Sequence, residues 1–319
     1  MKNIFLLSIF LGFFSFISAQ SVMMYGDSTR IGRPFSKDPY VINFKGCYFI
    51  YYSIPPIDET GWAIGIAKSN DLINWNKVGE ILPEKEYEKK GLCAPGLLVE
   101  NDTINIFYQT YGNGKTDAIC HATSVDGINF KRNETNPIFN PSGDWTCGRA
   151  IDAEVIKFKN NYFLYFATRD KDFIIQKQGV AVAPKNSNFN RNDWKQVGDS
   201  AILEPEFDWE GKCIEAASVI QKGNTLYMFY AGNYNNAPQQ IGVAQSKDGI
   251  HWKRVFDTPF LKNGEKGSWN SSESGHPQIF KDKNGKTYLF YQGNNDNGKT
   301  WFITNQEVGW KKGKPYLKN

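Results

Sequence analysis

The sequence predicts an all-β fold, a five-bladed β-propeller with four antiparallel strands per blade. Three observations carry that prediction. The 319 residues include 23 Phe, 16 Tyr and 9 Trp with 29 Gly, a composition that leans towards strands and turns. Five segments repeat along the chain. No amphipathic helical window separates them.

The repeats start at Asp38, Ala94, Asp152, Glu215 and His276, so successive starts are 56, 58, 63 and 61 positions apart. Each start opens a first strand and leads through a polar turn to an aromatic second strand, at 48–53, 104–110, 162–168, 226–232 and 288–293. Tyr52, Tyr108, Phe166, Tyr230 and Tyr291 lie 14, 14, 14, 15 and 15 residues after their starts. Third strands are predicted at 63–69, 118–124, 179–183, 241–246 and 300–305. A turn then leads to Trp75, Phe130, Trp194, Trp252 and, in a shortened fifth unit running from Val308, to Trp310. Fourth short strands, such as 77–82 and 196–203, end the units. One blade cannot bury both of its faces, and radial stacking buries the alternating aromatics. A β-sandwich plus a second domain would not produce such constant offsets. The expected organisation is a signal peptide over 1–19 and a single propeller domain over 20–319.

The leader assignment follows from one charge, Lys2, before an apolar run over 4–17, with a cleavage point near Ala19. The run is short for a membrane span and no stop-transfer charges follow it. The protein is therefore expected to be exported, with no membrane span and as a monomer. A net charge of +4 argues against a nucleic-acid partner. Three histidines exclude a multi-His metal centre, and five cysteines read most plainly as buried free thiols.

The first strands of a propeller line its central channel, so repeat starts form a ring. Three of the five starts are acidic: Asp38, Asp152 and Glu215. Like charges converging on one axis cost energy unless they serve chemistry. Three carboxyls around an aromatic-lined pocket suit glycosidic bond cleavage, which needs one protonated and one ionised group with pKa values pushed apart. Trp145 and Trp209, in loops entering the third and fourth inner strands, are candidates for sugar stacking, with blade-core packing as the alternative. Glu273 and His276 in the polar loop 271–276 are candidates to bind sugar hydroxyls. Arg149 could pair with a carboxylate or a substrate acid.

Over 26–319 the chain resembles glycoside hydrolase family 43, and more broadly the five-bladed propeller hydrolases. The resemblance is carried by Lys37-Asp38-Pro39-Tyr40-Val41-Ile42, by Arg149-Ala150-Ile151-Asp152-Ala153-Glu154-Val155 and by Cys213-Ile214-Glu215-Ala216-Ala217-Ser218-Val219. It implies Asp38 as general base, Asp152 as pKa modulator and Glu215 as general acid. It also implies an inverting glycosidase acting on α-L-arabinofuranosyl, β-D-xylosyl or related galactosyl units. A propeller ring closed on one side makes a pocket, so exo action on the ends of a poly- or oligosaccharide is expected. Asp152-Ala153 and Glu215-Ala216 stand where the family often has Asp-Pro and Glu-Gly-Pro, which leaves the sugar open. No cofactor is implied for the chemistry. His276 matches the place where many relatives set a channel histidine near a calcium or water site, which leaves room for a structural calcium there. Rival readings are a sugar-binding propeller without catalysis, a phosphorolytic propeller enzyme and a purely structural interaction propeller. The nucleotide-loop pattern at 293–300 is discounted because a strand, not a helix, should follow it.

Overall fold

The structure is a computed structural model that describes residues 23–57 and 60–318. The expected leader over 1–19 and its cleavage near Ala19 lie outside the described residues. Twenty strands form five four-stranded antiparallel sheets, each built from consecutive strands. Blade one holds β1 (Lys37–Phe44), β2 (Cys47–Ile54), β3 (Ala63–Ser69) and β4 (Asn76–Ile81). Blade two holds β5 (Leu92–Glu100), β6 (Thr103–Thr110), β7 (Ile119–Ser124) and β8 (Lys131–Arg132). Blade three holds β9 (Ile151–Phe158), β10 (Asn161–Arg169), β11 (Gln176–Pro184) and β12 (Lys195–Gln196). Blade four holds β13 (Ile214–Lys222), β14 (Thr225–Gly232), β15 (Gln240–Ser246) and β16 (Lys253–Arg254). Blade five holds β17 (Glu273–Lys281), β18 (Thr287–Asn294), β19 (Phe302–Lys311) and β20 (Lys314–Leu317).

Five apolar clusters hold the ring together, one at each interface between neighbouring blades. The aromatic second strands supply most of their bulk, including Tyr51, Tyr108, Phe166, Tyr230 and Phe290. Burying a large apolar side chain contributes roughly 1.5–3 kcal/mol, so the aromatic content itself stabilises the stack. The hydroxyls of Tyr51, Tyr52, Tyr108, Tyr165 and Tyr230 are satisfied. Tyr51 donates to Gly127 O at 2.9 Å and Tyr165 to Gly249 O at 3.0 Å, each pinning one blade to a turn of the next. Tyr52, Tyr108 and Tyr230 instead donate to buried acids before the first strands, Asp27, Glu88 and Glu210. Each acid also pairs with a cation on its own fourth strand, Lys77, Arg132 or Arg254.

The ring closes through the N-terminal segment. Tyr25 and Ile303 exchange backbone hydrogen bonds of 2.8 Å, and Trp301 N donates to Pro34 O at 3.0 Å. The last blade departs from its expected form. Val308 to Trp310 does not turn but lies inside β19, which runs on to Lys311 before a tight hairpin to β20. The Ser-x-Asp sequence that caps this turn in blades one, two and four, as Ser69 and Asp71 do in blade one, is missing there. At 293–300 the chain leaves β18, turns on the side chains of Asn294 and Asp296 and enters β19, with no helix.

Every inner strand carries a bulge near its start, where the register with its partner slips. The bulge residue adopts positive φ: Asp38 at 53°, Ala94 at 47°, Asp152 at 53°, Ala216 at 53° and His276 at 46°. The expected ring is thereby corrected at one position. Ala216, not Glu215, is the counterpart of Asp38 and Asp152. Glu215 sits one residue earlier, level with Lys37, Cys93 and Ile151. Counted from Ala216, Tyr230 lies 14 residues on, as in the first three blades.

Candidate active site

The bulges turn the inner-strand starts into one cavity of about 280 Å³ at the mouth of the channel. Asp38, Asp152 and Glu215 all line it, with Arg149 and His276. Each of the three carboxyl residues is only 7–8 % exposed, so they lie at the bottom of the cavity. Below, the channel narrows to a void of about 20 Å³ walled by Tyr40, Ala153, Ala217 and Pro277.

Side-chain amides from neighbouring strands fix the floor. Gln292 Oε1 accepts Asp38 N–H at 2.8 Å, and Gln109 Oε1 accepts Asp152 N–H at 2.7 Å. Ser53 Oγ accepts Ala94 N–H at 2.8 Å and Gln239 Oε1 accepts His276 N–H at 3.1 Å. These acceptors satisfy donors that the bulges withdraw from the strand ladder. Glu215 is held at both oxygens, by Gln239 Nε2 at 2.6 Å and by Gln176 Nε2.

The electrostatics separate the carboxyls. Burial raises Asp38, but His276, Lys37 and the Ser53 hydroxyl outweigh it and hold the carboxyl below the usual aspartate value. His276 Nδ1 lies 3.1 Å from Asp38 Oδ1. Burial pushes the imidazole down in turn, so at neutral pH it is uncharged. Asp152 moves the other way. Burial, then the charges of Glu215 and Asp38, push it well above the ordinary range. The two carboxyls are thus pushed in opposite directions within a single cavity.

The remaining sequence candidates divide. Glu273 does not line the cavity. It is fully buried behind it, accepting from Asn236 N–H at 2.6 Å and from Gln292 Nε2 at 3.0 Å, and so braces the amide that holds Asp38. Trp145 and Trp209 pack on blade cores instead of forming sugar platforms. Trp145 lies over Phe166 and Gly179, and Trp209 stacks on Tyr230 at 6.0 Å, where glycines leave room for the rings. The aromatic rim comes from Trp62, Tyr111 and Tyr234. Trp62 meets Tyr111 edge-on at 5.6 Å. Its loop crosses the entry to β5 where Gly61 and Gly91 pass so closely that a Cβ would fall about 2.5 Å from the opposing backbone. Gly91 there has φ of +137°.

Gln109, Gln176 and Arg169 are further pocket residues that repeat reasoning passes over. Polar Gln109 and Gln292 directly after the buried Tyr108 and Tyr291 were the available signal. Glu154, two residues beyond Asp152, points away from the cavity. It accepts from Tyr40 OH and Val219 N–H, both at 2.8 Å, deep in the ring. The surroundings of His276 do not suit calcium, which takes six to eight oxygen ligands. Lys37 contributes an ammonium there, and no group of three or more His, Cys, Asp or Glu side chains placed to hold a metal occurs among the described residues. All five cysteines are unpaired.

Comparison with known proteins places this geometry in a family. The model for glycosyl hydrolases family 43 matches residues 30–315. A sucrose-6-phosphate hydrolase of Zymomonas mobilis is 28% identical over 188 residues, covering 53% of this chain and 36% of the relative. The chain thus spans little more than a third of that protein's length. A 1,2-beta-oligomannan phosphorylase of a Thermoanaerobacter species is 26% identical over 216 residues, 65% of this chain and 67% of the relative. The crystal structure of an endo-1,4-beta-xylanase from Bacteroides thetaiotaomicron has the same fold, with a TM-score of 0.71 and 21% identity over 89% of this chain and 94% of that one. From its propeller, its cavity and a family match along nearly the whole sequence, the chain belongs to glycosyl hydrolases family 43.

Proposed function

We propose that this protein is an exported glycosidase that removes terminal sugars from a poly- or oligosaccharide with inversion. The observation that carries the reading is the opposed pair of environments, Asp38 held low and Asp152 held high across one cavity. In this scheme ionised Asp38, beside His276, takes a proton from the attacking water. Glu215 delivers a proton to the leaving oxygen. Asp152 modulates the pKa of its neighbours and orients them. Loss of either protonation state stops turnover, so the pair of environments matters more than any single residue.

Exo action is supported by the small cavity and the constriction beneath it, which admit a chain end more readily than a chain interior. Export is supported by the apolar leader over 4–17. The sugars we favour are α-L-arabinofuranosyl, β-D-xylosyl or related galactosyl units. Trp62 and Tyr111 offer faces on which such rings can stack.

The test is to incubate residues 20–319 with a panel of plant and algal glycans, chromatograph the products and follow the new anomer by proton NMR. A single monosaccharide first released in the anomeric form opposite to its linkage is expected. Internal fragments of mixed length would contradict exo action, and a retained anomer would contradict inversion.

A further inference from the structure

Two guanidinium groups stand in the cavity wall with few partners. Arg149 enters from the loop before β9 and Arg169 from the end of β10, and both line the cavity. Arg149 Nε donates to Asp117 Oδ2 at 3.3 Å and its Nη1 to Gln176 Oε1 at 3.4 Å. Arg169 Nε donates to the same Gln176 oxygen at 2.9 Å, and its Nη1 to Phe173 O at 3.5 Å. A guanidinium carries five N–H donors, so these bonds leave most of the ten unmatched by protein. Among the described residues Arg169 has no carboxylate within ion-pair distance. The groups are nevertheless fixed. The Phe173 ring lies 4.4 Å from Arg169 and 5.7 Å from Arg149, and Tyr234 lies 5.0 Å from Arg169. Phe173 reaches this place through a strained positive φ of 65°, held by the turn from Asp170.

Planar, pre-oriented cations with free forks match a planar carboxylate by paired hydrogen bonds. We propose that the Arg149–Arg169 wall binds the carboxylate of a uronic acid unit, so that the substrate is an acidic rather than a neutral glycan. The proposal rests on the glycosidase reading of this cavity and names its substrate class. The wall's position says how the anion arrives. Gln176, which both arginines engage, donates its amide to Glu215, so the wall adjoins the leaving-group side. The attacking side belongs to Asp38, with Lys37 and His276 around it. An anion on the arginines is therefore carried by the sugar. Free phosphate used as the nucleophile would instead have to approach ionised Asp38, which repels it.

The test compares uronate-containing oligosaccharides with the same oligosaccharides after chemical reduction of their carboxyl groups, which keeps every linkage. Calorimetry with D-galacturonate and D-glucuronate against D-galactose and D-glucose runs beside it. The wild type should prefer the acidic member by about 10- to 100-fold in kcat/KM and in affinity, the worth of charge-assisted hydrogen bonds. That preference should weaken as salt rises. In Arg169→Gln the ratio of acidic to neutral kcat/KM should collapse towards one, with only part restored in Arg169→Lys, which keeps the charge and loses the fork. Equal handling of both members by the wild type, or preference for the neutral one, overturns the proposal while leaving the glycosidase reading intact. Uronate affinity without any cleavage supports the acidic site and sinks the glycosidase reading instead. Preference for galactose 6-sulfate over galacturonate, or turnover that requires inorganic phosphate, reassigns the arginines to another oxyanion and overturns the uronate claim.

Discussion

Glu154 offers a test of how the ring separates structural from reactive carboxyls. It is buried deep among the inner strands, and burial raises it from the usual 4.5 to about 7 despite hydrogen bonds from Val219 N–H, Tyr40 OH and Ser218 OH. A folded-state value above the unfolded one means that the folded protein binds the proton more tightly. The associated stability is complete below the unfolded value and is lost as pH climbs from 4.5 through 7. At about 1.4 kcal/mol per pH unit, that loss reaches about 3 kcal/mol at alkaline pH. Glu154→Gln removes the titration. Its amide oxygen still accepts Val219 N–H, but Tyr40 loses its acceptor, at a cost of about 1 kcal/mol. The variant should therefore be the less stable protein by about 1 kcal/mol at pH 4 and the more stable one by about 2 kcal/mol at pH 9. For a chain of this length the alkaline gain corresponds to about 3 °C in Tm. Thermal unfolding from pH 4 to pH 9 checks the crossover. A difference that keeps one sign throughout would refute the assignment of a raised, uncompensated carboxyl at this position.

The other expectations follow from packing and charge. Trp62→Ala should raise KM about tenfold with little change in Tm, because the ring sits at the cavity rim. Trp209→Ala should instead lose about 3 kcal/mol of stability in urea unfolding, because that ring fills a blade core. Glu88→Ala should cost about 3–5 kcal/mol by stranding the buried Arg132 charge, several times the roughly 1 kcal/mol of Tyr108→Phe. The pH profile of kcat/KM should be a bell. Its acid limb, where Asp38 takes up a proton, should fall below the normal aspartate range.

Much of this architecture was readable in the sequence because the repeat expresses physics that recurs five times. Tyr52, Tyr108 and Tyr230 recur because each bonds a buried acid that is paired to a cation. Asp38 and Asp152 could be placed on one axis from spacing alone. Glu215 was placed in the same cavity but one residue off register. A bulge adds a residue without changing the apolar pattern, and Glu215-Ala216-Ala217 gives no sign of which residue takes positive φ. Trp145 and Trp209 looked like rim residues because each lies in a loop entering an inner strand. Their fate depends on glycines in other strands, Gly179 and Gly242, that open space for the rings. Trp62 and Arg169 escaped notice for the converse reason. They reach the cavity through a loop crossing and a strand end that no repeat marks.

The most direct measurement is sugar release from the glycan panel by the wild type and by Asp38→Asn, purified together and matched for Tm. The account predicts a monosaccharide from the wild type and a loss of at least about a thousandfold in the variant, which keeps the shape of the floor and removes the ionised carboxyl. Release at similar rates by both proteins would contradict the claim that Asp38 is the base of this pocket.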